Sequence, residues 1–452
     1  MSTPHARTPW PTLPAILALL LASFAHAQDR PLAFTNATLI PVSSPDIENG
    51  TLVVHRGRIL AVGGPNTPIP PDATRVDARG KVIMPGLVDT HSHIGGGSGA
   101  DRSATIQPSV RILDSINPFD SGFRRAVAGG LTTLNVMPGS GHLLSGQTIY
   151  LKLRAAPSSD ADDHRPARTI EDLMIRDQAG IAMGGLKMAN GTNPMGAPPF
   201  SATRARHAAL VREQFIRAQE YRRRMNSDRK PERNLSLEAL VEVLEGRRIV
   251  HHHTHRADDI ATVLRLQREF GFRVVLHHVS EAHKLAPEIA AAAPAEPKGP
   301  GVIGCSAIIV DSPGGKLEAA ELILETPGVL ERAGVNTALH TDDWITDSRL
   351  FLRMGALAVR AGMSRQAALR ALTLAGAEML DLEDRIGSLE PGKDADFVVL
   401  SGDPFSLYTR VEQTWVEGTL VFDLSRPADR LHAVGGYGAG RDQEPYFCCF
   451  GN

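Results

Sequence analysis

Between residues 82 and 380 the chain repeats one pattern, a short apolar run followed by a helix-like stretch. The runs are Val82 to Val88, Thr132 to Val136, Gly180 to Met188, Arg248 to His252, Arg273 to His277, Gly301 to Ile309 and Val335 to Leu339. Apolar runs this short fit strands buried on both faces, and their alternation with helices marks a parallel sheet. Ala202 to Met225, Asp258 to Phe270 and Ser364 to Leu380 read as helices, and Ser236 caps another that carries Leu237, Leu240, Val241 and Leu244. Strand–helix alternation of this length predicts an α/β fold, a TIM-like (β/α)8 barrel. Its least obvious strand is placed around Gln147 to Leu153.

The flanks read differently. Leu32 to Ile40, Gly50 to Val54 and Ile59 to Gly63 are strand-like, with a turn at Arg56-Gly57-Arg58, and so are Ala395 to Leu400 and Gln413 to Phe422. Both ends are expected to form one small β-sandwich from residues 28–82 and 384–424, around a barrel over 83–383. Residues 425–452 are a Gly-rich tail without periodicity.

Residues 1–27 read as a signal peptide: Arg7 in a polar start, an apolar run from Leu13 to Phe24, then Ala25-His26-Ala27 with small residues one position apart. Cleavage is expected after Ala27, with export to a periplasm. The run is shorter than the roughly 20 residues of a membrane span, so no stable insertion is expected after cleavage. A formal net charge of −2 offers no electrostatic footprint for nucleic acid or an anionic membrane. Cys305, Cys448 and Cys449 make no disulfide framework, and Cys305 reads as a small buried apolar residue.

Chemistry gathers at the ends of the apolar runs. His91 and His93 end the first and, two residues apart on a strand, can face one cation. His253 and His255 follow the run ending in Ile249-Val250, His277 and His278 follow Val274-Val275-Leu276, and Asp342 follows Ala338-Leu-His-Thr. Lys187 ends Gly180-Ile-Ala-Met-Gly-Gly-Leu. The C-terminal strand ends of a barrel converge on one face, so these residues can share a divalent metal, zinc above all. An ammonium repels a metal ion. A buried lysine can lose its proton, and its amine can then take up carbon dioxide as an anionic carbamate.

Val82-Ile-Met-Pro-Gly-Leu-Val-Asp-Thr-His-Ser-His and Gly387-Ser-Leu-Glu-Pro-Gly-Lys-Asp-Ala-Asp-Phe-Val-Val-Leu resemble the first-strand and closing signatures of the metal-dependent amidohydrolase superfamily. The resemblance covers roughly residues 32 to 424. His253-Thr-His-Arg-Ala-Asp-Asp-Ile and Gly185-Leu-Lys-Met-Ala are similar to the imidazolonepropionase-like exported subgroup. The resemblance implies that His91 and His93 hold a buried metal, that a carbamylated Lys187 bridges to a second, that His253 and His278 hold this second ion, and that Asp342 is both ligand and proton shuttle. His255 and His277 would support these ligands. The resemblance also implies hydrolysis of a carbon–nitrogen bond in an amide, dipeptide or cyclic amide by metal-activated hydroxide, with Asp342 and His278 in catalytic roles. Arg256 stands where the superfamily's deaminases often place a glutamate, which favours amide hydrolysis over deamination. Thr192 and Asp343 replace a glutamate and a histidine of related sequences. The alternatives are a one-metal deaminase or imidazolone-type hydrolase, with Lys187 unmodified, and a catalytically silent binding protein on the same scaffold. A small-molecule partner is implied, and a homo-oligomer is left open.

Overall fold

The computed structural model describes residues 30–96, 101, 103–155, 169–197, 200–309, 316–343 and 345–435. The leader reading at residues 1–27 and the Cys448-Cys449 pair lie outside the described residues.

Strands near both ends of the chain meet in one sheet. Its members are β1 (Leu32–Leu39), β2 (Ile47–His55), β3 (Arg58–Gly63), β4 (Thr74–Asp77) and β5 (Val82–Pro85) from the N-terminal side. From the other side come β15 (Phe397–Leu400), β16 (Val411–Val416) and β17 (Thr419–Asp423), numbered after the strands of the middle region. The order is β17-β16-β15-β5-β1-β2-β3, with β4 parallel to β1. The ends pair directly where β15 runs antiparallel to β5, Phe397 opposite Pro85 and Leu400 opposite Val82. Phe34, Phe397 and Trp415 fill the core there, with ring centroids 5.2–5.5 Å apart. The run from Gln413 to Phe422 is two strands, because Glu417 (φ 47°) and Gly418 (φ 70°) turn the chain.

The middle of the chain supplies β6 (Leu87–Ser92), β7 (Leu131–Val136), β8 (Leu144–Gln147), β9 (Ile149–Lys152), β10 (Leu186–Ala189), β11 (Val250–Thr254), β12 (Arg273–His278), β13 (Gly301–Ala307) and β14 (Thr337–Leu339). Strands β10 to β14 are parallel neighbours in sequence order, with β8 antiparallel at the edge of β10. A second sheet has the order β6-β7-β9. The two approach at both edges. At one, Asp342 N–H donates to His91 O (3.0 Å) and His93 N–H to Asp343 O (3.3 Å). At the other, Thr148 N–H donates to Gly185 O and Tyr150 N–H to Met183 O, both at 2.9 Å. Strand β10 is shorter than the apolar run that suggested it, and β9 falls within the expected Gln147 to Leu153.

Helices lie between the strands with caps of the ordinary kind. Thr203 caps Arg204–Met225 and Ser364 caps Arg365–Ala371, each accepting a backbone N–H on its hydroxyl. The helix over Leu235–Leu244 is capped by Asn234, which accepts from Leu237 N; Ser236 sits inside it instead. The expected helix from Ser364 to Leu380 breaks near Thr373 and resumes as Leu374–Glu378. Pro427–Val434 is helical within the expected tail, and Arg124 bonds Asp429 on it (2.5 Å). No helix among the described residues is long and apolar enough to cross a membrane.

One buried cluster fastens the middle strands to the end sheet. The Lys152 ammonium at the end of β9 touches Asp394, Asp396 (3.1 Å) and Glu417 (3.1 Å), and Arg154 adds 2.8 Å bonds to Glu417. Burial pushes Asp396 up to about 6 against the pull of Lys152. Lys152→Met leaves Asp396 without its cation, while Asp394 keeps Arg58 and Glu417 keeps Arg154. It is expected to cost about 3–5 kcal/mol, read as a lower midpoint in urea or thermal unfolding; an unchanged midpoint rejects the fastening role.

Candidate metal centre

Strand β6 is buried along its whole length, and its polar residues are placed by partners. The Asp89 carboxylate accepts from His91 N (3.1 Å), Thr341 N (3.2 Å) and the Thr341 hydroxyl (2.5 Å). Burial pushes its pKa up to about 7, with those donors pulling the other way. This grip sets the end of β6 beside the end of β14.

His91 and His93 then face the same way, as residues i and i+2 of a strand should. Their Nε2 atoms are 3.3 Å apart. Asp342 Oδ1 lies 3.4 Å from the first and 3.0 Å from the second, and Lys187 Nζ lies 3.0 Å from His91 Nε2. His93 Nδ1 is 2.9 Å from the Met137 carbonyl, which can only accept, so Nδ1 carries the proton. His93 Nε2 thus faces the Asp342 carboxylate. A cation placed there, a proton or a metal ion, would hold the two together. The donor set of two imidazoles and a carboxylate fits a zinc-like divalent ion.

A second group lies alongside. The His253 and His278 ring centroids are 4.4 Å apart, and His278 is 4.8 Å from His91. Neither ring nitrogen of His253 has a hydrogen-bond partner, nor does His278 Nε2. One ligand atom each from His253, His255 and His278 can be chosen within 4.8 Å of one another. His278 Nδ1 is 3.1 Å from His340 Nε2, His340 Nδ1 is 2.9 Å from Ser306 Oγ, and Ser306 Oγ is 2.6 Å from Thr90 Oγ1. Donated in that order, the chain leaves His278 Nε2 as a bare lone pair facing the group. Burial, assisted by the Lys316 charge, pushes His253 down to about 3, and burial pushes His340 down to about 3. Burial also holds His91 and His278 well below the usual imidazole range. These rings stay neutral near pH 7, the state in which imidazole binds metal.

Residues 177–422, more than half of the chain, match the model of the amidohydrolase family. The chain belongs to that family. An amidohydrolase from Thermotoga maritima MSB8 has 32% sequence identity and a TM-score of 0.73 over 87% of this chain and 100% of its own. Amidohydrolase tasK of Hapsidospora irregularis is 28% identical over 84% of this chain, and the imidazolonepropionase of Pseudomonas putida is 26% identical over 86% of this chain and 91% of its own. The chain spans less than half the length of the first curated relatives it matches, 41% of tasK.

In this amidohydrolase the residues singled out in the sequence fall into two adjoining groups. His91, His93, Lys187 and Asp342 make one, and His253 and His278 belong to the other. His255 stands at the edge of the second, its Nδ1 2.7 Å from Ser280 Oγ. His277 is tied to the neighbouring strand: the Tyr150 hydroxyl, held protonated by burial, lies 3.0 Å from His251 Nε2, and His251 Nδ1 lies 3.0 Å from His277 Nε2. Asp343 accepts from Ser348 N (2.9 Å) and the Ser348 hydroxyl, and Arg256 pairs with Asp258 (3.0 Å). His142 is buried beside Phe200.

Sequence reasoning passed over His340, although it stands two residues before Asp342, and Lys316 and Glu318, which come from a stretch without periodicity. His340→Ala frees His278 Nδ1 and is expected to weaken divalent-metal binding about 10–100-fold. Competition with a chromophoric chelator measures this, and an unchanged affinity rejects the orienting role.

Proposed function

We propose that this chain is a metal-dependent hydrolase of carbon–nitrogen bonds whose substrate is an amide, a dipeptide or a cyclic amide. The observation that carries the reading is the convergence of His91 Nε2, His93 Nε2, Asp342 Oδ1 and Lys187 Nζ, with His253 and His278 alongside. The named activities of relatives such as the imidazolonepropionase of Pseudomonas putida support the same bond class. The reading includes a (β/α)8 barrel closed through the two edges where the middle sheets meet, and a small sandwich built on the sheet of the chain ends. It also includes a leader cleaved after Ala27 and export to a periplasm, supported by the leader pattern.

His91, His93 and Asp342 would hold an inner ion and His253 and His278 an outer one. A divalent ion there acidifies a bound water and polarises the scissile carbonyl. Asp342 takes the proton of the attacking water as its oxygen bonds to the carbonyl carbon. As the carbon–nitrogen bond breaks, Asp342 returns that proton to the leaving nitrogen. Lys187, buried against His91, serves best as an anion. With its proton lost, its amine would bond to the carbon of carbon dioxide and release a second proton to water, and the resulting carbamate would supply anionic oxygens for metal binding.

A one-ion deaminase or imidazolone-type hydrolase, using His91, His93, His253 and Asp342 with Lys187 unmodified, is the second reading, supported by the three-atom set that His91, His93 and Asp342 can form within 4.8 Å. Counting metal decides between them: about two ions per chain supports the first reading and one supports the second. Asp342→Asn is expected to lower kcat about 10²–10⁴-fold on whichever dipeptide, lactam or amide of a broad panel is cleaved; full activity in this variant removes Asp342 from proton transfer. Lys187→Ala is expected to hold one ion fewer than the wild type by elemental analysis. Unchanged content rejects the carbamate.

A further inference from the structure

Glu318 has no part in the scheme above, yet it is built into the outer group. It sits in the short turn Leu317–Ala319 and is 2% exposed, while the preceding Leu317 is 83% exposed. Its Oε2 accepts the backbone N–H of Thr192 at 2.6 Å. Gly191, at φ +81°, makes room for that carboxylate, since a Cβ there would run into Oε2. The other oxygen looks inward: Oε1 is 3.7 Å from His253 Nε2 and 4.0 Å from His255 Nε2. Lys316 Nζ stands between these groups, 2.9 Å from Glu318 Oε1 and 3.1 Å from His255 Nε2.

The neutral imidazoles of His253, His255 and His278 contribute no charge to offset a buried dication, one carbamate shared with the inner ion would offset only part of it, and burying an ion short of counter-charge is costly. A carboxylate anchored by one oxygen and aimed at the same nitrogens with the other supplies that charge. The ammonium of Lys316, in contact with this oxygen and one of the rings, already does electrostatically what a cation would do there. Resting on the metal reading above, we propose that Glu318 is the acidic ligand of the outer divalent ion and that Lys316 is its built-in competitor, which must give way for the ion to bind.

The two residues should act in opposite directions, which a general loss of stability cannot imitate. The full chain, stripped with a chelator, is titrated with Zn²⁺ against a chromophoric competitor, with elemental analysis for stoichiometry. Wild type is expected to take up two ions. Glu318→Gln keeps an oxygen for Thr192 N–H but loses the charge, and is expected to bind the weaker ion about 10–100-fold less tightly, leaving the tighter one unchanged. Lys316→Met is expected to bind that same ion more tightly. Equal affinities in wild type and Glu318→Gln, or a Lys316→Met chain that binds no more tightly, overturn the assignment and leave the two-ion reading standing. A wild type that takes up fewer than two ions overturns both.

Discussion

The carboxylate of Asp89 couples the start of the middle region to its end. It accepts from the backbone of His91 on one side and from the backbone and hydroxyl of Thr341 on the other. Three donors on one buried carboxylate form a far stiffer joint than one strand-to-strand hydrogen bond. The strand that brings His91 and His93 is thereby held in register with the segment that brings Asp342, more than 200 positions later in the chain. Together with the backbone bonds from Asp342 N–H to His91 O and from His93 N–H to Asp343 O, this joint sets the imidazole and carboxylate atoms 3.0–3.4 Å apart.

The histidines depend on a second constraint, the shortage of protons among them. Burial keeps His91, His253, His255, His278 and His340 neutral, and a neutral ring has one N–H to give. On the outer side the Met137 carbonyl accepts from Nδ1 of His93, and Ser280 Oγ lies against Nδ1 of His255. The nitrogens left over face inward as lone pairs. The site is thus prepared by hydrogen bonds made on its outer side, and its capacity to hold a cation follows from where those bonds have been spent.

Much of this was legible in the sequence because strands impose a period of two and end in recognisable places. His91, His93, Lys187, His253, His278 and Asp342 all fell at the ends of apolar runs, and those ends come together. What stayed hidden lacked periodicity or depended on partners distant in the chain. Glu318 follows β13 in a turn of three residues, and only the packing of that turn against Gly191-Thr192 gives it meaning. The Lys152 cluster joins residues about 240–265 positions apart, and a lone lysine at a strand end looks the same in sequence whether it is buried or solvated. Local signals misled in smaller ways. Asn234 and Ser236 are both good caps, and only the direction from which the chain enters the helix chooses between them. The strand reading of Gln413 to Phe422 ran through a Glu-Gly pair because the residues on both sides of the turn are strand formers, Thr414-Trp-Val before it and Thr419-Leu-Val-Phe after it.

Strand β12 ends on two consecutive histidines, and a regular strand would send them to opposite faces. His278 instead adopts φ +69° and Val279 φ +46°, left-handed values that an ordinary side chain takes up only at some cost. The reversal lets a single strand address two storeys of the molecule. His277 is anchored in the floor by His251 and Tyr150, while His278 is swung up to the level of the ion group. The floor and the centre therefore cannot drift independently: a disturbance of the Tyr150 end of that anchor would arrive, through one peptide unit, as a tilt in the ring that faces His253 and His255.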